Sequence, residues 1–457
     1  MPHINEVAHD LKSLIYNQEA EYIEARLEAS TSCRLSYRGR ELETVSESSS
    51  AGGNIRVLYR GGWGFSTFNR FENLRTSLER ALDSARLAGN RQSQLADVAP
   101  VVIKTPPPLH NPREINLSTK KELLDSYNEL MWQAAPLNTS FIGYGDGYKT
   151  SIFLNSEGSF IEQSRADVSL RMSAIAGKDS DVQQSGISLG STGNFNDITG
   201  LEEQVQDIAR KAVAMLEAPR VKGGEYTVIL DPVIAGVFTH EAFGHLSEAD
   251  FVYENERLRE IMTLGKAFGS SELNIIDDGT MPNLRGTYCY DEEGTPSQKT
   301  YLIREGKLVG RLHSKETAAI MKEKPSGNAR AISYRHQPIV RMSNTYIEPG
   351  KTTFEEMLSD IKEGIYVKNW YGGTTSMEMF TFSGGEAYMI RNGKVAELIK
   401  PVVLSGNVFS TLHNIDAIGN DLDMNQGGGC GKGGQSPLPV SNGSPHIRIR
   451  KCLVGGQ

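Results

Sequence analysis

Cysteine is scarce in this chain of 457 residues: the four present (Cys33, Cys289, Cys430 and Cys452) are too few for a disulfide scaffold. Positive charge is also short. Lys and Arg number 48 against 56 Asp and Glu, and the formal charge is −8 with no basic run. That balance argues against direct binding to nucleic-acid phosphates. Long apolar runs are missing: the longest, TVILDPVIAGVF, is broken by Asp231 and Pro232 and is too short to span a bilayer. The opening MPHINEVAHDLKSLIYNQEA lacks a charged head followed by an apolar core, so it does not read as a signal peptide. A cytoplasmic location with no membrane contact is expected. Fixed-period repeats and low-complexity tracts are absent.

What is present is an ordinary globular composition, 38% hydrophobic and 23% charged, with 46 glycines that promise tight turns and close backbone approaches. The length predicts two or three domains. Val7, Leu11, Leu14, Ile15, Tyr22, Ile23 and Leu27 repeat at helical spacing and predict one amphipathic helix over the first ~25 residues. Short alternating segments follow (CRLSYRG, ELETVSES, NIRVLYR, WGFSTFN), with Gly61-Gly62 as a hairpin signal between the last two. FENLRTSLERALDSARLAG has helical period and a stop at Gly89-Asn90. TPPPLHNPR, residues 105–113, is the best linker candidate, because three consecutive prolines exclude helix. A helix (LSTKKELLDSYNELMWQA), an antiparallel region over 137–192 and a helix over 198–217 come next, before APRVKGGE resets the chain. The reading is an N-terminal domain of residues 1–220, subdivided at 105–113, and a C-terminal domain of residues 221–457. The latter is rich in strands and glycine, with one notable helix near its start. Uneven runs of helices and strands without βαβ alternation predict an α+β fold: helices and antiparallel strands first, then a strand-rich C-terminal domain.

The sharpest motif is YTVILDPVIAGVFTHEAFGHLSEAD, residues 226–250. TVIL predicts a strand, Asp231 an N-cap and Pro232 the first helical position, so a helix carries His240, Glu241 and His245. The pattern His-Glu-x-x-x-His is one residue longer than the metalloprotease pattern His-Glu-x-x-His. On a regular α-helix, residues five apart diverge by about 140°, too far for two imidazoles to grip one ion. A π-bulge restores the alignment, and Gly244 eases such a distortion, so an irregular helix is predicted here. Nine histidines give about 0.2 chance pairs at this spacing, and requiring the Glu cuts this to roughly 0.01. The plainer alternative is a pair of packed histidines on a buried helix. A zinc site needs a third ligand, for which Glu248, Asp250 and the cysteines are candidates. Cys430, in QGGGCGKGGQ, sits where glycines let a loop approach the helix closely. Two other motifs fail. GGGCGKGGQ is no P-loop, since Gln426 and Gly433 break the pattern. GISLG (186–190) lacks the following helix that a nucleophile elbow needs around Ser188.

HEAFGHLSEAD together with GGGCGKGGQ resembles the TldD/PmbA family of metallopeptidases, in its metal-bearing TldD type. The resemblance extends over nearly the whole chain, through ESSSAGGNIRVLYRGGWGFSTFN, GTYCYDEEGTPSQKTYLIREGKLVGRLH, AISYRHQPIVRMSNTYIEPG and FTFSGGEAYMIRNGKVAELIKPVVLSGNV. It implies that His240, His245 and Cys430 ligate the metal, that Glu241 is the catalytic carboxylate, and that Cys452 is structural. The implied ion is Zn2+ or Fe2+, since the ligand set tolerates both. The implied assembly is a dimer enclosing the site, either a homodimer or a heterodimer with a metal-free PmbA/TldE-like paralogue. Its implied substrates are unfolded or flexible peptides that pair with a strand edge, for which NWYGGTTSMEMF (369–380) is a guess. Arg335, His336 and His413 are weaker candidates for stabilising an oxyanion. Two competing functions remain: a non-proteolytic regulatory protein, as the family's older label of DNA gyrase modulator implies, or another metal hydrolase.

Overall fold

The computed structural model describes residues 4–16, 18–89, 93–376 and 378–456. The chain opens with α1 (Ile4–Ile15), whose buried Val7, Leu11 and Ile15 face the sheet. The helix predicted through Leu27 stops there. Tyr22, Ile23 and Leu27 belong to β1 (Tyr22–Arg38). Ile23 and Leu27 are four apart, a spacing that fits one face of a helix and one face of a strand equally well.

β1 pairs along its whole length with β2 (Glu41–Tyr59), which pairs in turn with β3 (Gly62–Phe68). The separate segments ELETVSES and NIRVLYR are therefore one continuous strand. The glycines between them mark close approach rather than a turn: a Cβ on Gly53 would sit 2.6 Å from the Arg26 carbonyl. Gly61 (φ 72°) makes the hairpin. α2 (Leu74–Ala88) follows as predicted, ending at Gly89; Asn90 lies outside the described residues. β4 (Val102–Lys104) precedes the TPPPLHNPR segment, and α3 (Leu117–Ala134) follows it. The expected antiparallel region is formed by β5 (Thr139–Asn155), β6 (Phe160–Lys178) and β7 (Asp181–Ser191). Ser188 lies within β7, with no strand-to-helix elbow. One seven-stranded sheet results, in the order β3-β2-β1-β5-β6-β4 with β7 also on β6. α1 and α2 seal one end of it, while α3 and α4 (Glu202–Glu217) seal the other.

β8 (Gly224–Leu230) begins a second architecture. It pairs with Glu363–Ser376 and with Ile447–Gly456; the latter pairs with 402–407, these with Met379–Arg391, and that strand returns to Glu363–Ser376. Five strands thus close a ring around an apolar interior that includes Val228, Leu230, Val367, Phe382 and Leu404. A six-stranded sheet lies beside it, containing the strands Ile275–Asp278, Asn344–Ile347 and Ser441–Ser444. α5 (Pro232–Thr239) packs between the two. Gly236 comes so close to the second sheet that a Cβ would lie 3.1 Å from Asn442 and Gly443 backbone, while Phe238 stacks edge-on against Phe380 at 5.3 Å. Beyond the one helix expected here there are α6 (Ala249–Glu254), α7 (Glu256–Ile261) and three more at Lys315–Met321, Phe354–Ser359 and Val408–His413. Each spans under two turns, too short for a helical period to register. The fold is α+β. Among the described residues no helix is long and apolar enough to cross a membrane.

The seven-stranded sheet meets the remainder through ion pairs in which the arginines are buried and Glu292 and Asp167 are partly exposed. Arg56 binds Glu24 (2.7 Å) and Glu293 (3.1 Å), Arg26 binds Glu292 (2.8 Å), and Arg285 binds Asp167 (2.6 Å).

Candidate metal centre

The helix that carries the motif starts as its sequence dictates. Asp231 accepts the Ile234 N–H at 3.0 Å and that of Asn369 at 3.1 Å, and Pro232 occupies the first turn. α5 is buried almost all round, because it is sandwiched between two sheets. At His240 the helix widens into a π-turn, His240–Gly244, in which the His245 N–H reaches the His240 carbonyl five residues back. This is the irregularity the five-residue spacing predicts. It brings the two imidazoles to 5.2 Å between ring centroids, nearly perpendicular at 83°. Gly244 is required for packing: a Cβ there would lie 2.1 Å from the Met342 sulfur.

Cys430 arrives on a tight hairpin. Gly429–Lys432 pairs with Gln435–Pro439, and the two-residue turn is Gly433-Gly434, both with positive φ (57° and 74°), which suits a type I′ hairpin. Buried Arg341 fixes the hairpin by donating to the carbonyls of Cys430 (2.7 Å) and Gln435 (3.2 Å). The Cys430 sulfur then lies 3.5 Å from His245 Nε2, and ligand atoms of His240, His245 and Cys430 all fall within 4.8 Å of one another. Ligands of a tetrahedral zinc ion stand about 3.5 Å apart, so these three need only a small contraction to bind one. Burial alone would raise the Cys430 thiol, but the His240 and His245 imidazoles outweigh it and bring the pKa down to about 5. Thiolate character is what a metal ligand requires. The buried Nδ1 of His240 has no hydrogen-bond partner among the described residues. The donor set fits a zinc-like ion.

Around this trio the carboxylates divide. Glu248, fully buried, has Oε2 2.9 Å from Nδ1 of His245. It therefore sits on the side of the ring away from the sulfur, orienting the imidazole as outer carboxylates do in metal sites. Burial raises the Glu248 carboxyl, yet His245 and Lys432 outweigh it and hold it below its ordinary value. Asp250 is not a ligand either, since both its oxygens lie 2.7 Å from the Lys432 ammonium. Glu241 is partly exposed, with Oε2 3.9 Å from His245 Nε2. It borders two clefts. One, about 630 Å³, is lined by His240, Trp370, Tyr371 and Ser188; the other, about 550 Å³, by His245, Phe251, Thr375 and Lys432.

Other candidates are elsewhere. His336 sits 3.3 Å from the Ser333 hydroxyl, His413 is exposed, and Arg335 borders a larger cavity of about 1060 Å³ that includes none of the four motif residues. None of the three lines either cleft at the motif. Cys452 is buried, and its thiol is pushed up to about 12. The 369–380 segment forms the hairpin beside both clefts, with Met377 outside the described residues. Lys432 and Arg341 carry no role in the sequence reading. For Lys432 the signal was present, in a lysine two residues from the cysteine and an acid pair in the SEAD run. Arg341 has no such marker.

Comparison with known proteins finds one family along most of the chain. Three family models match in order: PmbA/TldA metallopeptidase domain 1 over residues 23–88, the central domain over 110–216 and the C-terminal domain over 223–456. The chain belongs to the PmbA/TldD metallopeptidase family. A metalloprotease of Synechocystis is 47% identical over 444 residues, 96% of each chain. A zinc metalloprotease TldD homolog of Saccharolobus solfataricus is 32% identical over 422 residues, 90% of this chain and 91% of that one. The family's fold is seen in TldE from Thermococcus kodakarensis (TM-score 0.79, 18% identity, 98% of this chain and 100% of that one). It recurs in a Thermotoga maritima protein described as a modulator of a DNA gyrase (TM-score 0.80, 19% identity, 99% and 100%). This PmbA/TldD-family chain is a metal-dependent peptidase.

Proposed function

We propose that the chain is a zinc peptidase acting on unfolded or flexible peptides, with His240, His245 and Cys430 as ligands and Glu241 as general base. The observation that carries this reading is the convergence of two imidazoles and a thiol within 4.8 Å, beside a partly exposed carboxylate at the junction of two clefts. Fe2+ satisfies the same donors; the name of the Saccharolobus relative favours zinc. Bound there, the ion would supply Lewis acidity, lowering the pKa of a water and polarising the scissile carbonyl. Glu241 would take the proton of that water and deliver it to the leaving amine. Glu248 would hold His245 with its proton on Nδ1, leaving Nε2 free to ligate.

The clefts, about 630 and 550 Å³, are of a size to take a short stretch of extended chain. Beyond Val367 the outer edge of the strand Glu363–Ser376 has no strand partner among the described residues. Trp370, Tyr371 and Thr375 on that strand face the clefts. A peptide paired with this edge would be read through its backbone, with little side-chain selectivity. We further read the chain as an N-terminal part (1–220) and a catalytic part (221–457). We expect it to work in the cytoplasm as a dimer, with itself or with a metal-free chain of the same fold.

The test is metal per chain by elemental analysis, with cleavage of a disordered peptide, for wild type, His240→Ala, Cys430→Ala and Glu241→Gln. Near-unit metal in wild type, its loss in the two ligand variants, and a Glu241→Gln protein that keeps metal without cleaving would support the reading. A metal-free wild type, or cleavage that survives Glu241→Gln, would overturn it.

A further inference from the structure

The hairpin that delivers Cys430 is pinned by a side chain two residues along it. Lys432 Nζ lies 2.7 Å from each carboxylate oxygen of Asp250, 2.9 Å from the Val340 carbonyl and 3.1 Å from Oε2 of Glu248. It also stands 4.2 Å from the centre of the Phe251 ring. An exposed ion pair would count for little. This one is enclosed: the Lys432 side chain is 8% exposed and that of Glu248 is 0%. An ammonium has three protons to donate, and here they meet four oxygens from three places in the chain. Two belong to the motif's own helix end, Glu248 and Asp250, which follow His245 by three and five residues. The third, Val340, is next to Arg341, the residue that holds the Cys430 carbonyl.

These contacts form a closed circuit. From Cys430 the backbone leads to Lys432. Its ammonium grips Glu248, whose Oε2 accepts the Nδ1 proton of His245 at 2.9 Å. The other nitrogen of that ring returns to the Cys430 sulfur at 3.5 Å. The same carboxylate oxygen thus serves the ligand on the helix and the cation on the hairpin.

We propose, resting on the metal-site reading above, that Lys432 is a positioning residue. By clamping Glu248 and Asp250 together it seats the cysteine hairpin on the helix. It also holds the Glu248 carboxylate against His245, so that the thiolate and Nε2 face one point. Arg341 holds the backbone of the hairpin, and Lys432 ties that hairpin to the helix end through side chains. The hairpin turns on two glycines, and the helix end is a π-turn followed by one 3₁₀ turn, His245–Ser247.

The test uses the full chain and reads metal binding, not turnover. Zinc affinity is measured by competition with a chelator. Cobalt(II) is titrated in parallel, with the thiolate-to-cobalt charge-transfer band read per bound ion. Lys432→Met keeps length and removes the charge. It should bind zinc about 10- to 100-fold more weakly, the range for losing an outer partner of a metal ligand, with a weaker band per bound cobalt. Asp250→Asn leaves Lys432 on Glu248 and Val340, and should show a smaller loss of the same kind. A merely structural lysine would lower the melting temperature of the metal-free protein while affinity and band stayed at wild-type values, and that result would overturn the proposal. If Lys432→Met does not fold, wild-type affinity and band in Asp250→Asn overturn it instead. A wild type that binds no zinc defeats the metal-site reading itself, an outcome separate from a wild type and Lys432→Met that bind equally well.

Discussion

The seven-stranded sheet and the region around the ring, where the candidate metal centre lies, are built in different ways. In the sheet, β1 and β2 run 17 and 19 residues with a single register shift, and β5 pairs with β6 without one. Its helices cover it with largely apolar stripes, interrupted on α3 by buried Lys120 and Asn128. Around the ring, four of the five pairings run only four to six residues and two carry register shifts, the central helix changes pitch within 13 residues, and two glycines turn the cysteine hairpin. Regular register gives the first region rigidity and no special chemistry. In the second, each departure from regularity delivers a side chain: the π-turn aligns His245, and the glycine hairpin presents Cys430. Local irregularity is thus concentrated where groups from distant segments must meet.

That contrast can be broken at either end. The largest effect is expected from Glu241→Gln, which leaves the fold and metal in place but should cut peptide cleavage about 10²- to 10⁴-fold, the usual size of a lost general base; single-turnover rates on a disordered peptide measure it. Removing the metal with a chelator should abolish activity, and zinc should restore it. Next come two glycine substitutions. Gly244→Ala puts a Cβ 2.1 Å from the Met342 sulfur; it should cost about 1–3 kcal/mol through overpacking and lower zinc affinity with it. Gly64→Ala puts a Cβ 1.9 Å from the Ala81 carbonyl, against backbone that cannot swing aside. Its stability loss should be at least as large, with metal content unchanged. Urea melts and elemental analysis of both separate the regions; equal metal loss in the two would erase the distinction drawn above. Asp231→Ala removes the cap of α5 and should lower stability by about 0.5–2 kcal/mol.

The smallest effect is pH-dependent. Burial pushes the Glu292 carboxyl up, but Arg26 and Lys149 outweigh it and hold it below its ordinary value. A carboxyl with a lower pKa folded than unfolded adds stability that is fully present above the unfolded value, about 4.3. That stability is lost as pH falls through the folded value. Glu292→Gln should therefore melt closer to wild type below pH 4 than at pH 7. A constant gap across that range would mean that Glu292 contributes by packing alone.

Much of this architecture is written in local pattern, and the exceptions have physical causes. The helices with full turns on an apolar stripe, α2, α3 and α4, are legible because the period repeats several times. α1 was overextended because Ile23 and Leu27 satisfy two periods at once. ELETVSES and NIRVLYR read as separate segments because the alternation breaks at Gly52 and Gly53, which sit where Tyr334 and Arg26 come close. The motif's π-turn followed from spacing, since the chemistry demanded it. Lys432 has a local marker, a lysine two residues after Cys430, but joining it to the acid pair Glu248 and Asp250 takes the fold, because the two lie some 180 residues apart in the chain.

His245 and Cys430 are separated by 185 positions. On a ribosome adding about 5–20 residues per second, roughly 10 to 40 s pass between them. During that interval the two histidines have no thiol to work with, and the strand Ile447–Gly456 that pairs with β8 has yet to be made. A chain still in synthesis, or one cut short before the hairpin, carries the motif without the means to use it. Under the proposed ligand set, the three donors can therefore meet only after the C-terminal hairpin has been made.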